Sequence, residues 1–177
     1  MNGEARELHE IGAADIDELV EVLCDCVEGG ASVSFMLPLS REHAAAFWRR
    51  VAADVASGQR LLLAARDERG ICGTVQLILD LPDNQPHRAD VAKLLVHRRS
   101  RRKGVGAALM HAAEEAALAR GRDLLVLDTV TGAEGARLYE RLGWVRVGDI
   151  PRYALWPTGG YVPTTYYYRD LSDASVA

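Results

Sequence analysis

Ala89-Asp90-Val91-Ala92-Lys93-Leu94-Leu95-Val96, then His97-Arg98-Arg99-Ser100-Arg101-Arg102-Lys103, then Gly104-Val105-Gly106-Ala107-Ala108-Leu109 is the stretch that decides the fold. Its first eight residues are mostly apolar and read as a strand, 89–96. From Gly104 to Arg120 the spacing of Val105, Leu109, Ala112, Ala113 and Ala116 is helical, and Gly121 stops it. Between the two lies a loop without an acid. A helix start leaves backbone N–H groups unpaired, its dipole is positive there, and glycines let anionic oxygens come close. Five of the chain's 21 basic residues fall between His97 and Lys103, and the other 16 face 25 acids. Positive charge is therefore local. A small polyanion such as a pyrophosphate fits this better than a nucleic acid, whose partners carry a basic domain or face.

On the amino-terminal side, 60–66 and 71–79 are apolar runs joined by Asp67-Glu68-Arg69-Gly70, a hairpin pattern. Two amphipathic helices precede them. Asp15 followed by Glu18 resembles a capping box for the first, whose Ile16, Leu19, Val20, Leu23 and Val27 keep helical spacing up to Gly29-Gly30. Ser40 caps the second, with Ala44, Phe47, Trp48, Val51 and Val55 on one face and Gly58 at its end. Residues 5–11 alternate weakly, as an opening strand. After the long helix come a buried strand (123–129), a short helix (132–143) and strands at 144–150 and 164–171. The order β-α-α-β-β-β-α-β-α-β-β predicts an α/β fold in one domain, residues 1–177. Its sheet is mixed and mostly antiparallel, with a parallel pair made by the strand-helix-strand segment and helices on both faces. Ligands bind such sheets at the carboxyl ends of parallel strands, here the end of 89–96.

No run reaches the roughly 18 apolar residues of a membrane span, and MNGEARELHE lacks a basic start and an apolar signal core, so a cytoplasmic protein without a membrane partner is expected. Cys24, Cys26 and Cys72 read as buried free thiols. The five histidines form no zinc-ligand pair, and no metal is expected. The sequence argues against two other phosphate loops. Gly106 is followed by Ala107, Ala108 and Leu109 rather than the third glycine of a dinucleotide fingerprint, and Gly-Lys-Ser/Thr is absent.

Arg101-Arg102-Lys103-Gly104-Val105-Gly106, placed after Leu94-Leu95-Val96, resembles the Arg/Gln-x-x-Gly-x-Gly/Ala motif of the GNAT N-acetyltransferase superfamily. Ala136-Arg137-Leu138-Tyr139-Glu140-Arg141-Leu142-Gly143-Trp144 is similar to that family's second signature. The resemblance implies the GNAT fold, in which this strand splays from its parallel neighbour. It also implies acetyl-CoA as acyl donor. Leu94, Leu95 and Val96 would hold the pantetheine arm, and Arg101, Arg102, Lys103, Gly104, Val105, Gly106 and Ala107 the pyrophosphate. Tyr139 would be the general acid that protonates the leaving thiolate, although a tyrosine on a short amphipathic helix is by itself an ordinary packing residue. Position 97 is often proline in relatives and is His97 here, more a loop filler than a catalyst.

Residues 29–36, 88–96, 124–129 and 163–171 resemble the tabtoxin-resistance type of acetyltransferase. That implies a small-molecule amine, amino-acid-like or toxin- or antibiotic-like, bound near Ser32, Phe35, Asp90 and Asp128 by a monomer or homodimer that uses no nucleic acid. An amine attacks a thioester only when neutral, so Asp90 or Asp128 is the candidate base, directly or through water. An exposed aspartate is a weak base, and either one could instead cap a strand or pair with Arg88. A non-catalytic acyl-CoA sensor of the same fold, or an enzyme acting on a protein N-terminus or lysine, stands as the alternative.

Overall fold

A computed structural model describes residues 4–172. In chain order the elements are β1 (Ala5–Glu7), α1 (Ala13–Glu28), α2 (Arg41–Ala56), β2 (Arg60–Asp67), β3 (Gly70–Ile78), β4 (Arg88–Val96), a 3-10 turn (Arg98–Ser100), α3 (Val105–Leu118), β5 (Leu124–Val130), α4 (Glu134–Arg141), β6 (Val145–Leu155) and β7 (Tyr161–Asp170). The strands form one seven-stranded sheet in the order β1-β2-β3-β4-β5-β7-β6. Every neighbouring pair is antiparallel except β4 and β5. This is the mixed α/β architecture that the order of elements predicts.

The boundaries differ where local chemistry is ambiguous. Helix α1 starts before Asp15: Gly12 is its N-cap, and Asp15 Oδ2 reaches back to accept from the Gly12 N–H at 3.0 Å. Glu18 serves another purpose, accepting from Ile71 N at 2.8 Å and pairing with Arg66 at 2.7 Å, which ties α1 to the β2–β3 hairpin. Ser40 caps α2 as its sequence demands, accepting from His43 N at 3.1 Å. β1 is only three residues long. β6 extends to Leu155 and meets β7 from Tyr161, through register shifts that bend this edge strand.

Two cores sandwich the sheet. On one face α3 and α4 press Val105, Leu109, Met110, Ala113 and Tyr139 onto Val75, Leu77, Ala89, Val91, Leu125, Leu127 and Tyr167. Gly73 makes that approach possible, since a Cβ there would meet Leu109 Cδ1 and the Leu95 carbonyl at 3.0 Å. On the other face α1 and α2 bury Leu19, Leu23, Val27, Trp48 and Val51 against Leu62, Ala64, Ile71 and Leu95, all from β2 to β4. Among the described residues no helix covers the β5–β7 half of that second face, so the apolar core there stops at β4. Cys24, Cys26 and Cys72 are free and buried. Among the described residues no helix is long and apolar enough to cross a membrane.

Candidate active site

The parallel ladder between β4 and β5 is short: Arg88 pairs with Leu124, Ala89 with Leu125 and Asp90 with Val126, and pairing then ends. β4 runs on to Val96 and β5 to Val130 with no further ladder between them, so the sheet is split at the carboxyl ends of its parallel strands. Two clefts open on this split. The wider, about 610 Å³, lies between the end of β4, the loop before α3, and α4. The narrower, about 460 Å³, lies between the α1–α2 loop, β4, β5 and the β6–β7 hairpin. Tyr139, Leu94, Thr129, Val130, Ser32 and Val33 line both, so the clefts meet at the split.

The wider cleft carries the glycine-rich helix start. Gly104, with φ 83° in the left-handed region, is the N-cap of α3, and the first helical hydrogen bond runs from Ala108 N to Gly104 O at 3.0 Å. The amides of Val105, Gly106 and Ala107 are therefore left for a ligand. A Cβ at Gly106 would stand 3.2 Å from Leu138 Cδ2, so the loop lies close against α4. Leu94, Leu95, Val96, Arg101, Arg102, Gly104, Val105, Gly106 and Ala107 all line this cleft; Lys103 is exposed and does not. The residues present suit a phosphate-bearing cofactor: free amides at a helix start, Arg101 and Arg102 from the loop with Arg137 and Arg141 from α4, and an apolar floor.

The basic cluster is divided in its labour. Arg98 and Arg99 anchor the loop rather than face the cleft. The buried Asp25 accepts from Arg98 N at 2.8 Å and from Arg98 Nε, joining the loop to α1. Asp67 accepts from Arg99 Nε at 2.9 Å, Ser100 Oγ at 2.7 Å and Arg69 N at 2.9 Å. Burial alone would raise the Asp67 carboxyl, but these donors and the Arg99 charge outweigh it and hold it at about 2. Arg101 bends back so that its Nε donates to Val96 O at 3.0 Å. His97 lines neither cleft. Its Nδ1 accepts from Arg99 N at 3.1 Å and its Nε2 lies 3.5 Å from Asp25 Oδ1, a structural position at the head of the 3-10 turn. Cys26 also lines the wider cleft, and burial, against the opposing pull of Arg101, holds it as a thiol.

Ser32, Phe35 and Asp128 line the narrower cleft together; Asp90 does not. Ser32 Oγ donates to Leu155 O at 2.9 Å, fixing the α1–α2 loop against β6. Phe35 is buried edge-on to Phe47 at 5.2 Å. Asp128 is exposed to the cleft, with Oδ2 accepting from Thr164 Oγ1 at 2.8 Å. Asp90 is half-buried one strand away and accepts from Arg88 Nη1 at 2.9 Å. Burial, reinforced by Asp128 and opposed by Arg88, raises its carboxyl above the ordinary range. Tyr139 is buried, and burial, aided by Asp128, pushes its phenol far up, so it stays protonated. Among the described residues its hydroxyl has no hydrogen-bond partner, although it borders both clefts.

One lining residue escaped the sequence reading. Gln76 pairs with Ala92 and Thr74 with Leu95, so Val75 alone opposes both Lys93 and Leu94, a β-bulge. Lys93 takes φ 52°, rare for a residue with a side chain. The bulge resets the alternation: Ala89 and Val91 face α3 before it, and Leu94 and Val96 after it. Lys93 is thrown to the opposite face, where Nζ donates to Ser34 Oγ at 3.0 Å and stands 6.0 Å from the Phe47 ring centre. Strict alternation along a strand gives no signal of such an insertion.

Comparison with known proteins gives the same architecture. The family profile described as acetyltransferase (GNAT) domain matches residues 57–146. An N-acetyltransferase from Staphylococcus aureus Mu50 superposes with a TM-score of 0.78 at 14% identity, over 97% of this chain and 99% of that one. A ribosomal-protein-alanine N-acetyltransferase from Brucella melitensis gives 0.79 at 18%, over 94% and 99%. A GNAT superfamily phosphinothricin acetyltransferase from Sinorhizobium meliloti, solved in complex with acetyl-CoA, gives 0.79 at 20%, over 97% and 89%. At these identities the superpositions speak to the fold.

Proposed function

The chain belongs to the GNAT acetyltransferase family, and on that premise we propose that it transfers the acetyl group of acetyl-CoA to the amine of a small molecule. The observation that carries the reading is the position of Tyr139 where the two clefts meet: a protonated phenol lies between a phosphate-suited cleft and a second cleft holding a carboxylate. Acetyl-CoA would be held in the wider cleft by the amides of Val105, Gly106 and Ala107, by Arg101 and Arg102, and by the backbone of Leu94, Leu95 and Val96, which β5 does not engage. Lys103 would add charge only from outside. When bound, the cofactor supplies an activated acetyl thioester.

The remaining chemistry falls to the chain's own groups. Asp128 attracts the substrate ammonium and accepts its proton, directly or through water; Asp90 is engaged by Arg88 and acts from behind as a second negative charge. Tyr139 would donate its hydroxyl proton to the departing thiolate as the C–S bond breaks, and regain one from the second proton that the acylated nitrogen sheds, so that no buried phenolate is left. Ser32 and Phe35 shape the wall of the amine cleft. Cleft size supports a compact substrate, amino-acid-like or toxin- or antibiotic-like. The resemblance of the sequence to the tabtoxin-resistance type favours a detoxifying role, and the fold shared with a phosphinothricin acetyltransferase agrees with it.

The test is twofold. Acetyl-CoA should raise the melting temperature, because a ligand bound only by the native state adds RT ln(1 + [L]/Kd). Acetyl-CoA consumption should then be screened over amino acids, dipeptides, polyamines and aminoglycosides. Stabilisation without consumption on any amine would leave an acyl-CoA sensor, and consumption confined to peptides or proteins would move the reading to a macromolecular substrate.

A further inference from the structure

Lys93 is a cation placed at some cost. It occupies a left-handed backbone conformation at the bulge of β4, and its side chain is half-buried in the wall of the narrower cleft. Among the described residues no carboxylate lies within 4.0 Å of Nζ; its one hydrogen-bond partner is the neutral Ser34 hydroxyl, and the Phe47 ring lies at 6.0 Å. Burial lowers the ammonium from the ordinary lysine range, Asp128 opposes that and Arg60 adds to it. An ammonium has three donors, and one is used. A half-buried charge without a counter-ion is stabilised by any anion that reaches it.

The same cleft carries the opposite charge on its other wall, since Asp128 projects from β5 across the split from β4. A ligand that satisfies both walls carries an ammonium and an anion. We infer that Lys93 and Ser34 form an anion subsite, so that the acceptor is an amino acid whose carboxylate binds Lys93 Nζ while its amine faces Asp128 and Tyr139. Polyamines and aminoglycosides are disfavoured, because a second cation in the cleft would meet Lys93 and, beyond it, Arg60. This rests on the acetyltransferase reading and narrows it to one substrate class.

The experiment compares each of the twenty L-amino acids with its α-carboxamide at saturating acetyl-CoA, in wild type, Lys93→Met and Lys93→Arg. Met keeps the aliphatic stem on Phe47 and removes the charge; Arg keeps the charge. In the wild type the best amino acid should exceed its amide in kcat/KM. Lys93→Met should lose roughly 10- to 100-fold on the acid, the range of a hydrogen bond to a charged group, and little on the amide. Lys93→Arg should recover part of the loss. Calorimetry of the best amino acid with the CoA-loaded protein should show binding that Lys93→Met abolishes, while the acetyl-CoA-induced melting shift stays unchanged in both variants. A shift that is preserved certifies that the variant is folded; if Lys93→Met fails that check, Lys93→Arg against wild type on the acid and amide pair decides. Equal rates on acid and amide, equal losses on both in Lys93→Met, or turnover only of polyamines or aminoglycosides would overturn the subsite and leave acetyl transfer standing. Absence of turnover on every amine would remove the parent reading and the subsite with it.

Discussion

Replacing Asp67 by Asn should loosen the loop that presents the helix start, by an amount that depends on pH in a defined way. Asp67 gathers Arg99, Ser100 and the Arg69 amide, and its carboxyl is held at about 2 against an ordinary 3.8. That gap corresponds to about 2.4 kcal/mol at neutral pH. The side chain retains 28% exposure, so solvent screening reduces the figure to about 1–2 kcal/mol, or about 2–8 °C in melting temperature for a chain of this size. A lowered carboxyl contributes stability that is complete above 3.8 and is lost as pH falls through about 2; by pH 3 roughly half of it is gone. Asn resembles the protonated acid, so the two proteins should converge at low pH. Urea denaturation at pH 7, 4 and 3 measures the difference. A penalty as large at pH 3 as at pH 7, or none at pH 7, would show that the Asp67 charge does not hold the loop.

Tyr139→Phe should keep the packing against Trp144 and Tyr167 while kcat falls about 10²-fold with KM little changed; an unchanged kcat in steady-state assays would return the residue to a packing role. Because burial raises its phenol, wild-type kcat should show no alkaline loss near the ordinary tyrosine value of 10. Asp128→Asn should lower kcat/KM by about 10² and Asp90→Asn by less, since Arg88 already occupies Asp90; the reverse order would exchange their roles. Gly106→Glu places a negative side chain among the free amides and should abolish the acetyl-CoA melting shift, which calorimetry of cofactor binding would check.

Much of this architecture is legible residue by residue. Ser40, the Asp67–Gly70 turn and the glycines at 104 and 106 act through local rules, and they stand where those rules put them. The start of α1 misleads because aspartate is equally at home as N-cap and as the third helical residue, and only the Gly12 backbone distinguishes the two. The basic run misleads differently. Charge along the chain does not tell which arginines meet acids folded in from α1 and β2, so Arg98 and Arg99 look the same as Arg101 and Arg102 until Asp25 and Asp67 are in place. Lys93 is the plainest loss, because a bulge depends on how two strands fit together and leaves no mark on either one. Asp90 and Asp128 are drawn to one neighbourhood by the parallel pairing of 88–90 with 124–126, yet Arg88 engages one and leaves the other facing the cleft.

Among the described residues β4 and β5 share three ladder pairs, extended by the Asp123 N–H donating to the His87 carbonyl at 2.9 Å, and no helix crosses that seam on the face that α1 and α2 cover. The molecule therefore resembles two plates riveted at one end, clasped by α3 and α4 on one side and tied on the other only where the α1–α2 loop meets the end of β6. Prising the plates apart breaks fewer bonds than fraying any other interior strand, so opening there should be the least costly large excursion. Occupants of the two clefts would act as mortar in the joint. Amide exchange along 91–96 and 127–130 would then slow when both clefts are filled, while exchange in the β2–β3 hairpin would hardly change.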